Sequence, residues 1–300
     1  MSLFLWRRFA LMKIMAVLTI GAGCLLGLGN AAAKLIYAGS YSAAFRYLDP
    51  FVLSFRIDAL SAFFLVVIFA VCLLAISYSF HYMDQASSAW RTSIHYLFFS
   101  LLIGAMALVV TADNLITFML SWEAMSLSSF FLVITHFEDA NNRRAGYLYL
   151  VFSQVGAMFI LAAFGVMFAH SGSFEFAGAA GLPEAAKIAV FVLSFIGFAS
   201  KAGVFPLHAW LPHAHPAAPS PVSAVMSGVM IKTGIYGMVR MYALLDWQTQ
   251  LFGDIVLIAG VISGVLGVVY ALGQHDLKRL LAYSSVENIG VILIGVGIGM

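Results

Sequence analysis

Polar residues act as punctuation in this chain. Apolar runs occupy 11–33, 59–80, 94–111, 114–136, 146–169, 187–215, 222–245, 254–273 and 281–300, with short polar interruptions between them. About 20 apolar residues in a helix cross the hydrocarbon layer of a bilayer, and the runs are of that order. None alternates with the period of two that marks a barrel strand. The pattern therefore predicts an all-α, polytopic membrane helix bundle of nine spans. The run 187–215 is too long and too rich in proline for one plain helix. Pro206 removes a backbone donor and restrains the residues before it, which predicts a half-helix, an unwound step near 205–207 and a short second piece. The stretch 34–58 reads as a long loop, so the chain divides into an N-terminal span with its loop, 1–57, and a membrane domain, 58–300. The last run is still apolar at Met300, which predicts that the protein continues beyond it.

Basic residues then orient the bundle. With the N-terminus inside, the inner segments carry Arg7, Arg8, Arg91, Arg143, Arg144, Lys278 and Arg279. The outer segments carry only Lys34, Arg46 and Arg56, all in the long loop, in keeping with the positive-inside bias. The run after Met12 lacks a small-residue cleavage site and reads as a span and not as a cleaved leader.

Composition narrows the class further. Hydrophobic residues make up 63% of the chain and charged ones 9%, where a soluble domain has roughly 45–50% and about 25%. A net charge of +2 gives no electrostatic case for nucleic acid. Cys24 and Cys72 both lie within apolar runs, which leaves no disulfide framework and no cysteine-ligated cluster in this chain. Small residues such as Gly23 and Gly27, and the string "GVGIGM", lack the strand–turn–helix context of a nucleotide loop and read as helix-packing positions.

Against this background a few charges stand out, because each costs roughly 2.5–3.5 kcal/mol at mid-bilayer. They are Glu123 in "SWEAMSLSSF", Lys201 before the break, Lys232 in "MSGVMIKTGIYG" and Glu287 in "LLAYSSVENIG". Ser121, Ser126, Ser128 and Ser129 surround Glu123 in sequence as hydroxyl or water-holding groups. Two readings are open. In one, the charges form a proton relay in which a carboxylate tunes a buried lysine, beside unwound backbone of the kind tolerated where it lines a cavity. In the other, they are static ion pairs between helices. His208, near Pro206, is a candidate relay group, with His213 and His215 less so. His81, His95, His136, His170 and His275 fall at run ends and read as interfacial. Lys278 and Arg279 read as inner-side anchors, and Asp276 as a helix-start residue.

The blocks "GFASKAGVFPLHAWLPHAHPAAPSPVSAVMSGVMIKTGIYG", "ALGQHDLKRLLAYSSVENIG" and "SWEAMSLSSFFLVI" resemble the antiporter-like proton-channel subunits of respiratory complex I and Mrp antiporters. They look closest to the hydrogenase-4 component B and formate hydrogenlyase branch. The resemblance covers most of the chain from Asp58 onward. It implies a fold of inverted five-helix repeats, each with a broken helix, of which the second is missing here. It also implies a proton path in which Glu123 is the glutamate, Lys201 the broken-helix lysine and Lys232 the central lysine, with His208 and Glu287 as further candidates. By the same resemblance the subunit is non-catalytic and holds no cofactor. Nickel–iron and iron–sulfur centres would sit in partner subunits of a peripheral redox arm, beside other membrane-arm subunits, and the protein would lie in the inner (plasma) membrane. A cation/proton antiporter subunit and a structural membrane anchor for a redox arm are the rival readings.

Overall fold

A computed structural model describes residues 9–37, 39–48, 51–83, 89–247 and 249–300. Arg7 and Arg8, assigned above to the inner face, lie outside the described residues. Among the described residues eleven α-helices run in the order α1 (Phe9–Ile36), α2 (Ala59–Tyr82), α3 (Ala89–Thr111), α4 (Leu115–Val133), α5 (Ala140–Ser171), α6 (Glu184–Ala202), α7 (Leu211–Ala217), α8 (Ser220–Val225), α9 (Lys232–Leu245), α10 (Gln250–Leu272) and α11 (Leu277–Gly299). Among the described residues, nine stretches are long and apolar enough to cross a membrane, α8 and α9 counting as one. The protein is a multi-pass membrane protein. The α8–α9 stretch is the most enclosed of the nine and α10 the least.

Helix starts follow the polar punctuation. Asp58, Asn114, Asp139 and Asp276 each accept a backbone N–H of the first turn, from Ser61, Thr117, Asn141 and Arg279, satisfying donors that a helix start leaves free.

The stretch read as a long loop is structured. Residues Tyr41–Leu48 (β1) and Phe51–Ile57 (β2) pair antiparallel. The hairpin is fastened to the α3–α4 turn: Asp113 N–H donates to Ser54 O, Ser54 N–H to Thr117 Oγ1 and Asn114 Nδ2 to Val52 O. Short strands rich in phenylalanine, each punctuated by arginine, are weak as a pattern until these backbone groups find partners.

The broken helix is present, but its break begins earlier than Pro206. Gly203, at φ +75°, ends α6 in a left-handed conformation, and the chain stays non-helical until Leu211. Several polar groups in and beside the break find partners across the bundle. Phe205 N–H donates to Ser263 Oγ of α10 at 3.0 Å, and Trp210 Nε1 donates to Ser200 O at 2.9 Å. Lys278 Nζ donates to Pro216 O and Ala218 O at the end of α7. Lys278 is therefore more than the surface anchor its position suggested. Unwound backbone at membrane depth persists only when its polar groups are paired in this way. Gly203 has no room for a side chain, since an added Cβ would fall 2.0 Å from Leu211 Cδ1. Gly203→Ala is expected to destabilise the protein by at least about 1–2 kcal/mol from the left-handed backbone alone. Reversible unfolding in detergent would measure it, and a wild-type midpoint would refute it.

A second irregularity interrupts 222–245, which reads as one helix in the sequence. A π-helical turn, Met226–Met230, separates α8 from α9. Ile231 N–H bonds to Met226 O, five residues back, so the carbonyl of Ser227 loses its usual helical donor. Elsewhere glycine sets the packing. Gly260, Gly267, Gly290 and Gly297 bring α10 and α11 to backbone contact, whereas Gly23 meets nothing and only Gly27 packs, against Phe69.

Candidate functional site

Lys201 lies in the last turn of α6, 3% exposed, immediately before the break. Its ammonium donates to Tyr149 OH at 2.8 Å, Ser126 Oγ at 3.2 Å and, more weakly, Ser153 Oγ at 3.4 Å. The shell is itself linked. Ser153 Oγ donates to Ser126 Oγ at 3.0 Å, and Tyr149 OH and Ser129 Oγ share a hydrogen bond of 2.5 Å. Trp122 and Tyr149 present their rings to the ammonium at 5.9 and 5.1 Å. Hydroxyls accept from an ammonium and also donate to a free amine, so one shell serves both protonation states without rearranging the backbone.

Glu123 is half-buried on α4. Its carboxylate accepts from Gln154 Nε2 at 2.9 Å and forms no ion pair within 4.0 Å among the described residues. Glu123 and Lys201 therefore do not touch. Ser126 follows Glu123 by three residues on α4, and Ser153 precedes Gln154 on α5, so the two sites are adjacent along the same helix pair. The serines near Glu123 divide accordingly: Ser126 and Ser129 serve the lysine network, while Ser121 and Ser128 bond back to Thr117 O and Ala124 O of their own helix.

Lys232 opens α9, and its ammonium takes the Ser227 carbonyl left free by the π turn. Ser227 Oγ also shares a 2.7 Å hydrogen bond with Ser285 Oγ of α11, tying the π turn to the last helix. Thr233, beside it, faces Met125 Sδ of α4. Lys201 and Lys232 have no shared hydrogen-bond partner among the described residues.

His208 is not part of the Lys201 shell. It stacks on Phe205 at 5.0 Å and lies beside the stacked pair Tyr270 and Tyr283, at 6.2 and 6.0 Å. His215 bonds through Nδ1 to Ser223 Oγ at 2.8 Å. Glu287 is half-buried on α11, where its backbone packs on Gly267, and its carboxylate makes no hydrogen bond or ion pair among the described residues. His95 corrects the interfacial reading: it is 1% exposed and stacked on Phe99, whereas His81, His136, His170 and His275 are exposed.

Sequence reading passed over Tyr149, Ser153 and Gln154. The spacing of Tyr149 and Ser153 on α5 was the available signal, since residues four apart share a helix face. It also passed over Arg240. This guanidinium holds Asp58 through two hydrogen bonds, Nη2 to Oδ1 at 2.9 Å and Nη1 to Oδ2, and donates through Nε to Tyr236 OH at 3.0 Å. Asp113 and Arg56 form a second pair nearby at the hairpin end, at 3.0 Å. At the opposite end Arg91 pairs with Glu138, Arg143 donates to the Phe137 and Glu138 carbonyls, and Arg144 and Arg279 line one hollow. The charge asymmetry read from the sequence is thus an asymmetry between two ends of one bundle.

Comparison with known proteins agrees with this geometry. Residues 112–300 match the family described as NADH:quinone oxidoreductase/Mrp antiporter, TM, and residues 50–91 match NADH-ubiquinone oxidoreductase (complex I), chain 5 N-terminus. The chain belongs to the NADH:quinone oxidoreductase/Mrp antiporter family. Hydrogenase-4 component B of Escherichia coli (strain K12) is 43% identical over 263 residues, covering 85% of this chain and 39% of that protein. NAD(P)H-quinone oxidoreductase chain 4 2 of Thermosynechococcus vestitus is 36% identical over 219 residues, covering 70% and 41%. A chain in the structure of the Mrp complex from Dietzia sp. DQ12-45-1b superposes with a TM-score of 0.84 at 21% identity, covering 99% of this chain and 56% of that one. At that identity the likeness is one of fold. The chain spans about two-fifths of the length of these two curated relatives.

Proposed function

We propose that this chain is a proton-translocating membrane subunit of a hydrogenase-4 or formate hydrogenlyase-type assembly in the inner (plasma) membrane. Redox chemistry, with nickel–iron and iron–sulfur centres, belongs on this reading to partner subunits of a peripheral arm, and other membrane-arm subunits flank the chain. The observation that carries it is the Lys201 ammonium, enclosed beside a helix break and, among the described residues, contacted only by neutral groups. A static interhelical ion pair would place a carboxylate in that contact, and Glu123 lies on Gln154 instead. The 43% identity to hydrogenase-4 component B over most of the chain supports the choice of branch.

In this mechanism Lys201 holds and releases the proton. Tyr149, Ser126 and Ser153 keep its Nζ in place in both states, Glu123 supplies a field through the Gln154–Ser153 side, and Lys232 continues the path towards α11. Glu123→Gln tests the role of charge, because an amide retains a partner for Gln154. Hydrogen- or formate-driven proton uptake by inverted vesicles is expected to fall in this variant while the assembly stays intact. An unchanged proton-to-electron ratio would refute the assignment. Proton movement that follows a sodium gradient, without redox partners, would make cation/proton exchange the function.

A further inference from the structure

Away from the lysine path, the hairpin end of the bundle holds a groove of about 560 Å³ between α1, α2, α3 and β1, within the size range of small-molecule sites. Its walls are apolar, formed in part by Leu65, Phe69 and Leu108, and its head carries Asn30, Lys34 and Tyr41. Lys34 is in the last turn of α1 and 7% exposed. Its ammonium sits 4.7 Å from the centre of the Tyr41 ring, with no carboxylate within 4.0 Å and no hydrogen-bond acceptor among the described residues. A lysine near a helix end normally extends its charge to water. This one is enclosed at the head of an apolar groove.

The layout is amphiphilic. Lys34 is at headgroup level, at the helix end nearest the hairpin. Leu65 and Phe69 lie six and ten residues beyond the first residue of α2, or about 9–15 Å deeper at 1.5 Å per residue. One cation above a slot of hydrocarbon walls is complementary to one anion carrying an acyl chain. We infer that the groove binds a single anionic phospholipid, its phosphate on Lys34 and Tyr41 and an acyl chain against Leu65, Phe69 and Leu108. The site is independent of the proton path and of the redox partners, and the lipid adds to the direct packing of α1 on α2 at Gly27 and Phe69.

The test is native mass spectrometry of the full chain in mild detergent, titrated with phosphatidylglycerol, phosphatidylcholine or inorganic phosphate. One phosphatidylglycerol is expected to remain bound, with phosphatidylcholine held about tenfold more weakly because its quaternary amine opposes Lys34. Lys34→Ala is expected to lose that preference and Lys34→Arg to keep it. Leu108→Trp, which fills the slot and leaves the charge, is expected to lose the lipid altogether. Equal retention in Lys34→Ala and wild type, equal affinity for the two lipids, or full competition by inorganic phosphate would each overturn the assignment. So would a protein segment found in the groove in place of lipid.

Discussion

Replacing Lys201 by alanine is expected to lower proton uptake by about 10²-fold, the low end of what a positioned proton-transfer group contributes, while the protein still inserts and assembles. The structural half of this expectation follows from the shell. Without the ammonium, Ser153 still donates to Ser126 and Tyr149 still bonds Ser129, so no buried hydroxyl loses its last partner. The helix break also survives, because its ties run through Ser263, Trp210 and Lys278 and not through the Lys201 side chain. The functional half follows from chemistry: the remaining hydroxyls can pass a hydrogen bond along but none carries a proton near neutral pH as an amine does. Vesicle proton uptake, measured beside hydrogen or formate turnover and native-gel assembly, separates the two. Normal uptake would remove Lys201 from the path. Lost assembly with normal uptake in the surviving fraction would make it a packing residue, as the structural-anchor reading requires.

Why Lys201 stood out in the sequence while its shell did not is a matter of cost. A charge inside an apolar run is expensive at any point in the span, so Glu123, Lys201 and Lys232 are conspicuous without knowledge of their neighbours. Tyr149 and Ser153 carry little such penalty, since both are neutral: a serine in a span can bond its own backbone, and a tyrosine hydroxyl finds a partner on a neighbouring helix or in water. The nine spans were legible for the same reason, with bounds shifted by a few residues where caps such as Asp276 start a helix before the apolar run does. The break was legible from Pro206, but its true start at Gly203 depends on a positive φ, which sequence alone does not display. Neither the π turn at Met226–Met230 nor the 41–57 hairpin left a periodic signal. The turn adds one residue within an otherwise helical pattern, and the hairpin is stabilised by partners on α4 that lie far away in the chain. The pairing of Glu123 with Lys201 was one of roles and not of contact, and in the structure the Glu123 carboxylate bonds Gln154 while the Lys201 ammonium bonds Tyr149, Ser126 and Ser153.

Asp58→Ala is expected to destabilise the folded protein by about 3 kcal/mol, near the lower end for breaking a buried pair because the carboxylate is partly reached by water. The Asp58 side chain is 31% exposed and that of Arg240 17%. Removing the carboxylate leaves a guanidinium of α9 facing Tyr236 and Ser61 with no counter-charge in contact, and it also removes the cap of α2. The acid dependence has a definite sign. Burial raises the Asp58 pKa, but the hydrogen bonds and charge of Arg240, together with the Ser61 N–H, outweigh it and hold the carboxyl below the usual carboxylate range. A depressed folded pKa means that this stabilisation is complete above the unfolded value, near 4, and is lost as pH falls towards the folded one. Asp113 acts in the opposite direction. Burial outweighs Arg56 and Arg240 there and raises its pKa, so its contribution is present at low pH and lost as pH rises through the folded value. Wild-type unfolding midpoints in detergent should therefore drop below about pH 4 more steeply than those of Asp58→Ala. The double variant Asp58→Ala with Arg240→Met should recover part of the loss, because it removes the stranded charge. Proton uptake per assembled complex should remain at the wild-type level, since neither residue contacts the Lys201 shell. An Asp58→Ala variant as stable as wild type, with the same acid limb, would show that the hairpin-end pair is solvated and contributes nothing to holding α2 against α9.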